Sequence, residues 1–363
     1  MALNGPVVAR PRLDAKLWGG DRLRRFGLGL DGPEPLGEAL ATAGESRLGD
    51  GEETLGDLVA AAPEAVAGER GLAATGGRPL FPLLVKLVDA GQVLSVQVHP
   101  DDEAARPLDR LGKTEAWHVL DAAPGAVLYA GMRPDVGVEE FAAACRAGEG
   151  GVGELLLRLP AVPGTTLLLP AGTMHALGAG VLVYEVQQPS EITYRVCDWA
   201  RVAVDGRPRE LHVEVGLAAL DASLRPEPIA PLPLASGAGR RHLLAACRYF
   251  ALERIALAAG ERVTGSASAS PQTLTCLRGA LEVVAAEGAV TVPAGGTGVV
   301  PASIAEAAIR ALAPAVALRS WVPDLAAEVV APARAAGHGD EAIARLAGPL
   351  PDVRRAMAEA GGG

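Results

Sequence analysis

The sequence predicts a mainly β protein, an antiparallel barrel or sandwich with small helical insertions followed by a second, smaller barrel. Three observations predict it. Short apolar or β-rich runs alternate with Gly and Pro punctuation, of which the 363 residues hold 45 and 28, spread along the whole chain. A Pro-rich stretch, Arg225 to Gly239, interrupts that rhythm like a linker. Leu-Pro-Ala-Gly-Thr at Leu169–Thr173 is echoed by Val-Pro-Ala-Gly-Gly at Val292–Gly296, as in a degenerate internal repeat. The expected organisation is a first barrel with helical insertions over 1–224, a linker over 225–239, a second, smaller barrel over 240–323 and a helical tail over 324–363.

Taken in order, EALATAG from Glu38 and TLGDLVAAAPEAVAG from Thr54 read as helices, on their Ala and Leu content. Strand-like runs follow over Phe81–Val98, Trp117–Gly131, Thr165–Gly172 and Val181–Gln187. Between them, VEEFAAACRA (Val138–Ala147) and GELLLR (Gly153–Arg158) read as an inserted pair of short helices. In ITYRVCD, strand alternation from Ile192 puts Thr193, Arg195 and Cys197 on one face. Beyond the linker, Arg248–Leu257, Leu274–Val284 and Val290–Pro301 supply the second barrel's strands. The segment from Asp340 to the terminus reads as short helices with a frayed end.

A formal net charge of −10 disfavours nucleic acid or an anionic membrane as partner, because both need clustered positive charge. An anionic small molecule would need a local basic pocket. Lys16, Lys86 and Lys113 are the only lysines, all in the first third; most of that scarcity reads as genome composition, with a secondary hint that these places need an ammonium. Cys145, Cys197, Cys247 and Cys276 lack CxxC spacing and sit in apolar surroundings, so buried reduced thiols and a cytoplasmic setting are expected. The opening residues hold no apolar signal-peptide run and no stretch has the length of a membrane span.

The stretch SVQVHPDD, Ser95–Asp102, carries the clearest chemistry. Strand geometry points Gln97 and His99 to one face and Val96 and Val98 to the other, so an amide oxygen and an imidazole nitrogen look at one place. His175, in the turn Pro170–Gly178, is a second rigidly presented imidazole. A carboxylate would complete a divalent-metal site. Asp101 and Asp102 follow a proline in a turn and suit helix capping, whereas Glu115, in GKTEAW, begins the next strand; spacing alone favours Glu115 over Asp101 only slightly. Gln, His, Glu and His would suit Zn²⁺ with water or substrate completing its shell.

LSVQVHPDD, GKTEAW, PAGTMHAL (Pro170–Leu177) and EVQQPSEITYRVCDWAR (Glu185–Arg201) together resemble the type I mannose-6-phosphate isomerases, zinc-dependent cupin enzymes, in their short bacterial form. WGGDRL from Trp18, the pair Gly37 and Glu38, and FPLLVKLVDA from Phe81 fit the same pattern, and the likeness runs over about residues 11 to 320. It departs at His118 and Cys197, where aromatic residues are usual, and in the longer tail after residue 324.

The resemblance implies two cupin, or jelly-roll, barrels, the first catalytic and the second metal-free. It implies one Zn²⁺ per chain held by His99, Glu115 and His175, with Gln97 as a fourth ligand. It makes Arg195 the active-site arginine and places Lys113 and Lys86 in the pocket. The implied partner is a small-molecule sugar phosphate, and the implied reaction interconverts mannose 6-phosphate and fructose 6-phosphate through a cis-enediol. Lys113 fits the base, provided a neighbouring cation and a dry pocket favour its free amine; otherwise it holds the phosphate. The rivals are a non-catalytic sugar-phosphate-binding cupin and an isomerase of another aldose phosphate. Oligomeric state is not encoded in any pattern of the sequence.

Overall fold

The computed structural model describes residues 5–28, 35–148, 150–202, 206–234, 239–266 and 269–361. Its strands form four antiparallel sheets. In one, Thr166–Leu169, Glu115–Ala122, Val181–Gln187, Leu84–Ala90, Leu36–Leu40 and Arg12–Gly20 lie side by side. Facing it, Tyr194–Cys197, Val96–Val98, His175–Leu177, Val127–Met132 and Leu156–Pro160 form a second. Val88, Trp117, Val119 and Val183 of the first sheet pack with Leu128 and Leu177 of the other, closing one end of a barrel with apolar side chains. The other end carries polar groups, because Gln97, Lys113 and Glu185 replace apolar residues there.

Strand alternation explains why one run serves two cores. Along Val181–Gln187, Val181 and Val183 point into the first barrel, while Leu182, Tyr184 and Val186 point outward into a larger apolar core. That larger core also holds Leu243, Phe250, Leu252 and Leu318, so it joins the first barrel to the second. Tyr184 and Ser320 hydroxyls meet across it at 2.8 Å. The second barrel pairs an eight-stranded sheet with the four strands Arg262–Ser266, Glu306–Ala311, Ala280–Ala285 and Gly288–Pro293 around Ile255, Leu274, Leu281, Val283 and Val292. The strand Val7–Arg10 pairs with Thr297–Val300, so this strand, which precedes the first barrel in the chain, belongs to the eight-stranded sheet. Residues Leu232–Leu234 of the Pro-rich stretch add an edge strand to the same sheet, while 235–238 lie outside the described residues.

Two helices expected from the sequence are strands or irregular turns instead. The strand Leu36–Leu40, which takes in the first three residues of EALATAG, pairs with both Arg12–Gly20 and Leu84–Ala90, and burial of Leu36, Ala39 and Leu40 outweighs the helix propensity of Ala and Leu. GELLLR divides into a 3-10 turn ending at Leu155 and the strand Leu156–Pro160, which pairs with Val127–Met132 and buries Leu156. Pro63 splits the stretch from Thr54 into helices Leu55–Ala61 and Pro63–Val66, the first opened by a reciprocal Thr54–Asp57 capping box. Val138–Ala147 is helical as expected and packs Phe141 and Cys145 against the outer face of the five-stranded sheet.

Helices Ala331–Ala335, Asp340–Ala344 and Asp352–Gly361 form the tail, and Ala333, Ile343, Leu346 and Val353 bury in the shared core. The end expected to fray, residues 362 and 363, lies outside the described residues. All four cysteines are free and buried. No described helix is long and apolar enough to cross a membrane.

Candidate metal centre and active-site cavity

Three strand ends bring the candidate ligands together. Glu115 and His175 each begin a strand, and His99 follows directly after Val96–Val98. The Pro-Ala-Gly turn fixes the two histidines relative to each other. Gly172 there has φ of 88°, a left-handed conformation that suits glycine, and its N–H donates to the His99 carbonyl at 2.8 Å. Gly295, in the echoed turn of the second barrel, adopts φ of 80°, so the repeat is real at the level of turn geometry.

The Nδ1–H of His99 donates to the Ile192 carbonyl at 2.7 Å, and that of His175 to the Thr173 carbonyl at 2.8 Å. Both bonds fix the tautomer that leaves an Nε2 lone pair, and both lone pairs face Glu115. His99 Nε2 lies 3.5 Å from Glu115 Oε2 and His175 Nε2 lies 3.4 Å from Oε1. Each of the three side chains is 1% or 2% exposed; among the described residues His99 Nε2 and Glu115 Oε1 have no hydrogen-bond partner, and Glu115 Oε2 has only the ion pair with Lys113. Burial pushes the His175 pKa down to about 4 and that of His99 well below its ordinary value, with Lys113 adding to both, so the imidazoles are neutral. Burial, reinforced by Glu185, drives Glu115 upward against the pull of Lys113 and Lys86.

Lone pairs and a carboxylate converging in a dry pocket are unfavourable unless a cation lies between them. The spacing suits one: bonds of about 2.0–2.2 Å in a tetrahedral shell put ligand atoms about 3.3–3.6 Å apart. His99, Glu115 and His175 can therefore hold a metal ion, and they form the only such cluster among the described residues.

Gln97 stands beside them. It is paired in register with His175 on one side and Arg195 on the other, so the three side chains form a row across the five-stranded sheet. Its amide Nε2 lies 3.2 Å from His175 Nε2, and rotation of the amide by half a turn presents its oxygen to the same place. The expected common face of Thr193, Arg195 and Cys197 is only half right. A bulge between Arg195 and Cys197 shifts the register, so Thr193 and Arg195 line the cavity while Cys197 is buried in the core outside it.

The cavity above the triad has a volume of about 400 Å³, and Lys86, Gln97, Lys113 and Arg195 all line it. Lys16 lines it too, so every lysine of the chain reaches one cavity. Lys113 Nζ lies 3.3 Å from Glu115 Oε2. The backbone places it: Gly112 packs so closely on Asp101 and Asp102 that a Cβ would meet their backbone at 2.5 Å, and Lys113 N donates to the Pro100 carbonyl. Lys86 Nζ lies 3.3 Å from Glu185 and 3.9 Å from Glu38; although burial opposes its charge, Glu185, Glu38 and Glu115 together hold its pKa above the ordinary value. Glu38 in turn meets Lys16 at 2.8 Å, and Trp117 Nε1 donates to Glu185 at 2.9 Å.

Arg195 is half-buried. It donates one N–H to the Glu210 carbonyl, while its Nε has no partner. Glu38 and Glu185 were not among the residues nominated from sequence. Glu185 left a signal, a lone carboxylate inside the apolar strand VLVYEVQ; Glu38 was marked only by the Gly37 and Glu38 pair of the family resemblance, and its segment reads as helix.

Neither aspartate of HPDD reaches the triad. Asp101 caps the Asp102–Ala105 helix by accepting from Ala104 N at 2.8 Å, and Asp102 accepts from Gly112 N at 2.8 Å and Gln188 Nε2 at 2.9 Å. Asp101→Ala is therefore expected to cost about 1 kcal/mol, the usual value of an N-cap, and to leave metal content unchanged. Urea midpoints and metal analysis check this; loss of the metal would make Asp101 a ligand after all.

Residues 10–127 match the family model of the phosphomannose isomerase type I catalytic domain. The chain is 38% identical over 215 residues to the mannose-6-phosphate isomerase of Streptococcus mutans, a stretch covering 58% of this chain and 66% of that protein. It is 35% identical over 228 residues to mannose-6-phosphate isomerase ManA of Bacillus subtilis, covering 61% of this chain and 70% of that one. The matched stretch thus spans about two thirds of the length of these curated relatives. The fold superposes on the crystal structure of the mannose 6-phosphate isomerase from Bacillus subtilis with a TM-score of 0.75 at 27% identity, over 87% of this chain and 99% of that one.

Proposed function

The chain belongs to the type I phosphomannose isomerase family, and from that membership we propose that it interconverts mannose 6-phosphate and fructose 6-phosphate at the cavity above His99, Glu115 and His175. The observation that carries the reading is the convergence of two neutral imidazoles and a buried carboxylate on one point, beside three lysines and an unsatisfied arginine.

We assign the metal as zinc, one per chain, with Gln97 as fourth ligand, because imidazole nitrogen with carboxylate and amide oxygen is a donor set that zinc accepts. When bound, zinc supplies Lewis acidity to the sugar's reacting oxygens, worth several kcal/mol of transition-state stabilisation.

The chain's own residues supply the rest. Isomerisation moves a proton between C2 of the aldose and C1 of the ketose through a cis-enediol, so one group must take that proton and return it one carbon away. Lys113 is assigned that role: it is buried beside the triad, and of the two lysines deepest in the cavity it is the one not held between two carboxylates. Lys86, held protonated by Glu185 and Glu38, donates hydrogen bonds to substrate oxygens but cannot accept the proton. Arg195 keeps its charge and has an Nε–H without a partner among the described residues, so it stabilises the negative oxygen of the enediolate or grips the phosphate. Arg12, Lys16 and Arg209 also line the cavity, each paired with a carboxylate, and with Lys86, Lys113 and Arg195 they outnumber the lining acids Asp14, Glu38, Glu185 and Glu191, a positive balance that suits a phosphate within an acidic chain.

Arg195→Ala is expected to lower kcat/KM about 10²-fold, the cost of one preorganised donor to developing charge, with metal content unchanged. Full activity in that variant would remove Arg195 from the site. The overall reading is tested by coupling fructose 6-phosphate formation to a reporter enzyme, with mannose 6-phosphate and other aldose 6-phosphates as substrates. Turnover of mannose 6-phosphate well above the others is expected; a preference for another aldose phosphate, or no turnover in metal-replete protein, would overturn it.

A further inference from the structure

A second cavity, of about 700 Å³, lies behind the six-stranded sheet, on the far side of the strand that carries Glu115. Alternation on the single strand Glu115–Ala122 serves both: Trp117 lines the first cavity, and His118 and Leu120 line the second. Strands of the eight-stranded sheet close its other side, so it sits where the two barrels meet. Its walls are largely apolar, with Leu120, Leu244, Leu277 and Val316 joined by the rigid prolines Pro231 and Pro233.

The polar groups that reach it are all cationic or neutral donors. Among the described residues Arg254, His242 and His118 line the cavity, and no carboxylate does. Arg254 has no hydrogen-bond or ion-pair partner among the described residues. Desolvation lowers its pKa first, and the charged groups that act on it, Arg240 and Arg278, lower it further. The opposite face of the same sheet shows how a structural arginine is treated in this protein. There, Arg241 and Arg319 both close on Glu253, at 2.5 and 2.8 Å. His242, directly across from Arg254 in register, has a buried Nδ1 with no partner. His118, kept neutral by burial and by Arg254, satisfies its Nδ1 with the Thr166 hydroxyl at 2.9 Å.

A half-buried guanidinium facing an apolar cavity with no counter-charge leaves several donors free, and the natural complement is an anion. The volume falls within the range of about 300–1,000 Å³ typical of small-molecule sites, larger than one phosphate or sulfate needs. We propose that this cavity binds an amphipathic organic anion, its apolar body against the leucine and proline walls and its acidic group on Arg254 and His242. The site is separate from the sugar-phosphate cavity and shares with it only the strand between them.

Naphthalene-1-sulfonate is a suitable probe, with inorganic sulfate and 1-naphthalenemethanol as its two halves, in calorimetric titrations of the full chain saturated with mannose 6-phosphate. One naphthalenesulfonate per chain is expected to bind, at least tenfold more tightly than either half. Arg254→Gln should weaken it at least tenfold. Val316→Trp, which fills the cavity without touching the charge, should abolish it. Both variants should keep their isomerase activity. Absence of binding, equal binding in Arg254→Gln, displacement by mannose 6-phosphate, or sulfate binding as tightly as the whole probe would each overturn the proposal.

Discussion

Glu115→Gln is expected to lose the bound metal and at least about 10³-fold in kcat, while the fold persists. The substitution keeps the volume of a side chain that is 1% exposed and removes only its charge. The rate estimate follows from the several kcal/mol a Lewis acid contributes, at about 1.4 kcal/mol per factor of ten. Thermal melts give an independent readout. Added zinc should raise the melting temperature of the parent, because ligand that binds only the folded state stabilises it, and should leave Glu115→Gln unmoved. A variant that retained both metal and turnover would make Glu115 a structural carboxylate.

Lys113→Ala is expected to lower kcat about 10³-fold, within the range of about 10²–10⁴ typical of general acid–base groups, with metal content retained or increased. The sign of the metal effect follows from charge: Nζ lies 3.3 Å from Glu115, and removing one cation from that carboxylate leaves it a better partner for another. Lys113→Arg separates the two roles open to this residue. An arginine holds a phosphate at least as well as lysine but cannot take a proton, so it should rescue KM and not kcat. Recovery of kcat in Lys113→Arg would assign the residue to phosphate binding and leave the base elsewhere.

The β architecture was legible because its strands alternate or run apolar between Gly and Pro punctuation, and burial on both faces of Val181–Gln187 enforces that pattern. Leu36–Leu40 and Leu156–Pro160 were misread for a common reason. Each is short and rich in Leu or Ala, and each is a strand only because a distant partner, Leu84–Ala90 or Val127–Met132, offers it an open edge. At the site, Gln97 and His99 followed from strand period alone, and the scarcity of lysine marked the cavity before its shape was known.

Spacing could not choose between Asp101 and Glu115. The choice depends on how Glu115 lies beside Leu169 and Gln187 in the six-stranded sheet, and on a proline turn that commits Asp101 to its own helix. Glu185 stood out as a lone carboxylate in an apolar strand, but its pairing with Lys86 did not. Glu185 and Leu40 are both registered against Lys86, a relation between three strands far apart in the chain, and no local pattern records it. The bulge at Arg195 is also invisible locally, and it turns Cys197 away from the face that alternation assigned to it.

The central claim is that His99, Glu115 and His175 hold one ion on which isomerisation depends. Its most direct test is to strip the purified protein with chelator, measure residual metal, and restore zinc stepwise while following conversion of mannose 6-phosphate. The account predicts that activity falls to background with the metal and returns in proportion to it, saturating at one zinc per chain. Full turnover in protein shown to be metal-free would contradict it.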